Sequence, residues 1–244
     1  MGRLDVSGSR FRRMSKPTCA IVGVGPGLGL ALARRFGRGG FRVALLARRR
    51  AALTELEREL AGQGIEASGF ECDAGNPASI GAALRSVAGQ LGAPEVLIYN
   101  ASIFREGLPS EVPPETVAAD LMIDAVGAVA SAQSVLPAMR AAGRGTILIT
   151  GSGVALEPWA PAFTLGMGKA AVRSFARSLS QELRPYGVHA ATVTIHGVIT
   201  PGTALDPERI AEAFWAVHAE PQSQWSEEVK LELPETPDPA NPQV

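Results

Sequence analysis

Between Val22 and Gly29 the chain reads V-G-V-G-P-G-L-G, with Gly23, Gly25, Gly27 and Gly29 at every second position. Spacing of this kind suits a loop that wraps a phosphate. One glycine permits a sharp turn, one lets the backbone approach a pyrophosphate, and one lets the next helix pack closely on a sheet. The helix that follows offers free N–H groups and its positive dipole end to the phosphates. The flanks strengthen a signal that is weak alone. Thr18 to Val22 is a short apolar run, the pattern of a strand covered on both faces. Leu28, Leu32 and Phe36 then recur at helical spacing, with Arg34, Arg35 and Arg38 among them. The competing reading is a glycine-rich turn without a ligand.

Other chemistry is thin or excluded. His189, His196 and His218 are too scattered to suggest a metal site on spacing. Cys19 and Cys72 read as small buried hydrophobes rather than a disulfide, which fits a reducing, cytoplasmic setting. A formal net charge of -1 gives no reason to invoke nucleic acid or anionic lipid. With 46% hydrophobic residues the chain can bury a sizeable core, and no stretch reads as a membrane span.

The elements that must position the glycine loop follow from periodicity. Strands are expected at 41–46, 66–72, 95–99, 145–150 and 188–195, with a last one at 228–233. Helices are expected at 51–61, 77–91 (capped by Asn76), 114–141 (open to a break in its first turns), 165–183 and 207–218. Such alternation predicts one doubly wound α/β domain over 17–233, a mostly parallel sheet with helices on both faces. Residues 1–16, with Arg10, Arg12 and Arg13, read as a flexible basic extension, and 234–244 as a proline-rich disordered tail.

From about Thr18 to Leu233 the chain resembles the short-chain dehydrogenase/reductase family, a Rossmann-type fold. The family's T-G-x-x-x-G-x-G corresponds to Val22-Gly23-Val24-Gly25-Pro26-Gly27-Leu28-Gly29, with valine in place of threonine. Its acidic residue after strand 3, which contacts adenine, corresponds to Asp73. Its N-N-A-G appears as Tyr99-Asn100-Ala101-Ser102, and its P-G motif after strand 6 as His196-Gly197-Val198-Ile199-Thr200. The resemblance implies a nicotinamide cofactor held by Gly23, Gly25, Gly27, Leu28, Gly29, Asp73, Asn100, Ala101, Lys169 and Thr200. At the end of strand 2, where a carboxylate would hold ribose hydroxyls, the chain reads Leu46-Ala47-Arg48-Arg49-Arg50. Arg48 is placed to meet a 2′-phosphate with paired hydrogen bonds, which selects NADP(H).

The same resemblance exposes a damaged catalytic set. The family reduces carbonyls with a tyrosine as proton donor, a lysine four residues later, a serine after strand 5 and an asparagine in the preceding long helix. Lys169 and Ser152 match. Leu165 occupies the tyrosine position and Asp124 the asparagine position. Neither Tyr99 nor Tyr186 is followed by lysine at the fourth position, so no Y-x-x-x-K exists. Leucine donates no proton, and ordinary ketone reduction should suffer. His196 is either an acid–base group or a packed histidine. Asp124 is either a base or an ion-pair partner of Lys169. Trp159 and Phe163 either line a substrate pocket or simply pack.

Three functions remain open. One is an NADP(H)-dependent oxidoreductase with altered proton transfer, suited to iminium ions or activated carbonyls. Another is a non-redox enzyme for isomerisation or cyclisation. The third is a cofactor-binding regulatory or scaffold protein without turnover. The expected partners are a small-molecule substrate and further copies of the chain, with Ala128, Ala132, Ala170 and Ala171 allowing close helix approach in a homodimer or homotetramer.

Overall fold

In the computed structural model, which describes residues 16–232, seven parallel strands form one sheet in the order β3-β2-β1-β4-β5-β6-β7. The strands are β1 Thr18–Val22, β2 Arg42–Ala47, β3 Ala67–Glu71, β4 Pro94–Tyr99, β5 Gly145–Ser152, β6 Val188–His196 and β7 Glu228–Glu232. The helices are α1 Leu28–Arg38, α2 Arg50–Gly62, α3 Pro77–Leu91, α4 Pro114–Leu121, α5 Gly127–Ala142, α6 Phe163–Leu183 and α7 Pro207–His218. The order reverses between β1 and β4, the place where such sheets open a crevice at their carboxyl ends.

Both faces of β1 are buried, and this is why it reads as an unbroken apolar run. Cys19 and Ile21 join a cluster with Leu32 and Phe36 of α1 and Phe214 of α7. Ala20 and Val22 point the other way, toward Ile80 of α3, Ala132 of α5 and Val172 of α6. Both cysteines are free and buried. Asn76 caps α3 as its sequence position suggests, its Oδ1 accepting the Ala78 and Ser79 N–H groups at 3.0 and 3.2 Å.

Three expectations need correction. The 114–141 segment does not break in its first turns; the interruption is a π-helical turn, Met122–Val126, between α4 and α5. That same stretch, Pro114–Ala142, has 29 residues and contains an 18-residue window of mean hydropathy 1.4, so it is long and apolar enough to cross a membrane, contrary to the sequence reading. Its apolar residues are spent elsewhere: Ala128, Ala132, Val135 and Met139 lie in the core against the sheet. For the same reason Ala128 and Ala132 cannot make subunit contacts, being 1% and 0% exposed within the protomer. Ala170 and Ala171 are exposed on α6. The expectations for residues 1–15 and 233–244 lie outside the described residues.

Candidate active site

The carboxyl ends of β1, β2, β3 and β4 surround a groove of about 500 Å³. Its floor is the glycine loop. Gly23 has a φ of +87°, and a Cβ there would run into the backbone of Ala101. A side chain at Gly25 would meet nothing within 4 Å of protein, and Gly25 faces the groove. Gly29 lies behind the loop, where a Cβ would come within 2.8 Å of Val24 Cα. The three expected glycine roles thus fall to a strained turn at Gly23, an open wall at Gly25 and close helix packing at Gly29. Gly27 flanks α1, and the Leu28 side chain is buried; Gly27, Leu28 and Gly29 do not line the groove as expected, because α1 has already turned inward at Leu28.

Arg48, Asp73, Asn100 and Ala101 do line it. Arg48 is exposed at the β2 end. The neighbouring Arg50 is engaged with the Gly69 carbonyl and Glu57, and so is unavailable to a ligand. Asp73 Oδ1 accepts the Gly75 N–H at 3.0 Å, which fixes the carboxylate at the rim.

Both ends of the Asn100 amide are engaged within the protein. Its Nδ2 donates to the Gly23 carbonyl at 2.9 Å and its Oδ1 accepts from Thr150 Oγ1 at 2.9 Å. A carbonyl accepts only, so this orientation of the amide is the one that satisfies both ends. The Thr150 carbonyl in turn accepts from Lys169 Nζ at 2.8 Å. A continuous chain of contacts therefore runs from Lys169 on α6, through β5 and β4, to the glycine loop. No sequence motif marks Thr150; its place two residues before Ser152 on the same strand is the available signal.

Lys169 is 5% exposed, and burial pulls its ammonium down to about 8, an effect that Asp124 partly opposes. Asp124 sits in the π-helical turn and is 1% exposed. Its Oδ1 accepts the Ile103 N–H at 2.9 Å, while its Oδ2 is buried with no partner. Burial pushes the carboxyl up to about 6; the Ile103 hydrogen bond and Lys169 pull it down, and Asp120 adds to the rise. No ion pair within 4.0 Å joins Asp124 to Lys169, so their interaction acts across a gap. Asp120, one turn earlier, is held by both Arg105 Nε and Nη2 at 3.0 and 3.1 Å. Asp120 and Asp124 thus latch the loop after β4 onto the helix, a role the sequence did not reveal.

The remaining residues are placed apart from the groove. Ser152 ends β5, half-buried, in register with Ile195. His196 ends β6, its ring against Gly153, where a Cβ would lie 3.0 Å away, and its Nε2 is buried and unpartnered. Thr200 is exposed and turns its hydroxyl onto the Val198 carbonyl at 3.3 Å, not into the groove. Phe163 is half-buried at the start of α6, and Trp159 is 54% exposed; neither lines the groove. Phe104, Leu108, Trp159, Val198 and Ile199 expose large apolar surfaces in the loops after β4, β5 and β6. The first two of those loops are tied by the Gly107 N–H, which donates to the Pro161 carbonyl at 3.0 Å.

A family model described as short chain dehydrogenase matches residues 17–209. Among similar proteins is the one assigned as ketoacyl reductase 1 of the granaticin polyketide synthase of Streptomyces violaceoruber. It is 28% identical over 211 residues, covering 84% of this chain and 76% of that one. Short-chain dehydrogenase/reductase 3 of Homo sapiens is 28% identical over 187 residues, 76% of this chain and 62% of that protein. A metagenomic short-chain oxidoreductase in complex with NADP superposes with a TM-score of 0.82 at 26% identity, covering 90% of this chain and 98% of that one.

Proposed function

The chain belongs to the short-chain dehydrogenase/reductase family, and from that premise we propose that it binds NADP(H) and reduces iminium ions or activated carbonyls. The observation that carries this reading is the pairing of an intact nucleotide groove with an altered proton site. Gly23, Gly25, Arg48, Asp73 and Ala101 gather on the groove, and the similar metagenomic oxidoreductase was solved with NADP. Arg48, free of carboxylate partners among the described residues, would face the 2′-phosphate. When bound, the reduced cofactor supplies hydride.

The chain's own residues then decide which acceptor can use it. A simple ketone that takes hydride becomes a strongly basic alkoxide and needs a proton from a positioned acid, whereas an activated carbonyl gives a weaker base that takes its proton from water. Leu165 stands one helical turn before Lys169 and supplies none. An iminium ion takes hydride at carbon while its C=N electron pair moves to nitrogen, and no proton is required. Lys169 holds the site's back wall through Thr150, and Asp124 sets its charge. The apolar rim of Phe104, Trp159 and Val198 suits a largely apolar substrate body. Subunit contacts fall on the exposed side of the α4–α6 region, where Val126 and Met167 are 40% and 47% exposed and Ala170 and Ala171 are exposed as well.

A panel of cyclic iminium ions, activated carbonyls and simple ketones with NADPH, followed at the nicotinamide absorbance band, tests the proposal. Iminium ions or activated carbonyls should turn over and simple ketones should lag. Equal rates for simple ketones would overturn it. One observation favours a second reading: the unpartnered Oδ2 of Asp124, whose carboxyl is pushed up to about 6, is suited to shuttling a proton without hydride. Isomerisation or cyclisation of a substrate with no change in nicotinamide absorbance would select that reading. Cofactor binding without any turnover would select the scaffold reading.

A further inference from the structure

A π-helical turn carries one more residue per turn than its surroundings and leaves the local hydrogen-bond ladder irregular. Here the turn Met122–Val126 contains Asp124, and its Ile123 carbonyl accepts a hydrogen bond from the Tyr99 hydroxyl. Tyr99 closes β4 and is 2% exposed, so its ring is anchored in the core. Burial, reinforced by Asp124, pushes its phenol upward, so it remains a donor at every working pH. The socket is closed on the other sides. A Cβ at Gly127 would run into the Tyr99 hydroxyl and the Ala74 carbonyl, and a Cβ at Gly168 would run into the Asp124 side chain. Ile103, four residues beyond Tyr99, donates its N–H to Asp124 Oδ1.

We infer that Tyr99 is a positioning residue: by holding the Ile123 carbonyl it keeps the π-helical turn seated, so that Asp124 stays buried across from Lys169. The inference rests on the reading above in which Asp124 sets the charge of the site. Without the hydroxyl, the Ile123 carbonyl loses its buried partner and the turn can move toward water. Asp124 would then ionise more easily. The charged and titratable groups around it are Lys169 on α6, Asp120 on α4 with its partner Arg105, and Cys72 and Asp73 beyond Tyr99. None of these changes when Tyr99 becomes phenylalanine, so the response isolates the hydroxyl.

The test uses the full chain labelled with 13C-carboxyl aspartate and 13Cζ tyrosine, the Asp124 signal being identified by its loss in Asp124→Asn. In the wild type Asp124 should titrate at about 6. In Tyr99→Phe its midpoint should fall toward the ordinary carboxylate value of about 4. An unchanged or raised midpoint, even with lowered thermal stability, overturns the inference, because a purely structural tyrosine would alter stability alone. Should Tyr99→Phe fail to fold, the wild type carries the test. The Tyr99 Cζ signal should titrate together with Asp124, and this step should vanish in Asp124→Asn. A Tyr99 signal that ignores the ionisation of Asp124 overturns the inference. Neither readout requires turnover, so absence of hydride transfer with the shift present would count against the proposed function alone.

Discussion

The nucleotide half of the carboxyl edge, formed by β1, β2 and β3, and the chemical half, formed by β4, β5 and β6, are built to different standards. In the first, polar groups are engaged or face an open groove: Asp73 is tied to Gly75, Arg50 to Glu57, and Arg48 points outward. In the second, Asp124 Oδ2, Thr164 Oγ1 and His196 Nε2 are all buried without partners. Large apolar side chains also stand exposed there. Unsatisfied buried polar groups cost stability, and natural chains retain them where function uses them. The contrast locates the adaptable part of this protein in the second half, while the first half is a finished binding surface.

The largest expected effect probes the chemical half. Leu165→Tyr places a phenol one turn from Lys169, on the same face of α6. A positioned general acid contributes typically ~10²–10⁴-fold, so ketone reduction with NADPH should rise within that range. Steady-state rates on a simple ketone check it. If the wild type already reduces ketones as fast as the variant, the two halves do not differ in the way described.

The glycine loop supplies a contrast inside the nucleotide half. Gly23→Ala adds a Cβ against Ala101 at a positive φ, and should cost about 2–5 kcal/mol of stability from strain and overpacking. Gly25→Ala adds its methyl to open space, so its melting temperature should stay near the wild-type value while NADPH affinity falls. Thermal melts and fluorescence titration separate the two. Equal destabilisation by both substitutions would mean the groove wall is packed rather than open.

Much of this was legible in the chain. The alternation of strands and helices, the Asn76 cap and the helices Pro77–Leu91 and Pro207–His218 followed from short-range patterns, where periodicity and capping act locally. What escaped was what depends on contacts distant in sequence. Ala128 and Ala132 look free to meet a partner until the sheet is seen covering them. The π-helical turn has no sequence period of its own, and it is stabilised by Tyr99, a residue 24 positions away from the carbonyl it holds. Lys169 and Ser152 were readable from a motif, whereas the Lys169–Thr150–Asn100–Gly23 chain spans three strands and has no motif.

Cofactor choice sharpens the nucleotide half further. Charged hydrogen bonds are worth roughly 1.5–3 kcal/mol, so NADPH should bind about tenfold to a hundredfold more tightly than NADH. Arg48→Asp should reverse the order. Besides Asp73, Glu55 and Glu59 line the groove, but both lie on α2 and Glu59 is paired with Arg34, so neither stands at the end of β2 in place of a carboxylate. Equal affinities for the two cofactors by calorimetry would remove Arg48 from the site.

The smallest expected effect concerns the charge stored in the chemical half. The folded-state value of Asp124 is raised from 3.8 to about 6, because burial disfavours the carboxylate. Its contribution to stability is therefore fully present below the ordinary carboxylate range and is lost as pH rises through about 6. Asn at this position keeps an oxygen for the Ile103 N–H and carries no charge. Asp124→Asn should consequently be more stable than the wild type by about 1–3 kcal/mol near pH 9, with the gap narrowing as pH falls below about 6 and closing below about pH 4. Lys169 explains why the comparison belongs at high pH. Its value is pulled down to about 8, so below that pH it is a buried cation that benefits from Asp124, and removing the carboxylate then has a cost that offsets the gain. Urea denaturation at a series of pH values measures the gap directly. A gap that does not depend on pH would show that Asp124 titrates in the folded protein as it does in the unfolded chain, so that burial does not raise it. The chemical half would then hold an ordinary carboxylate rather than one strained by burial.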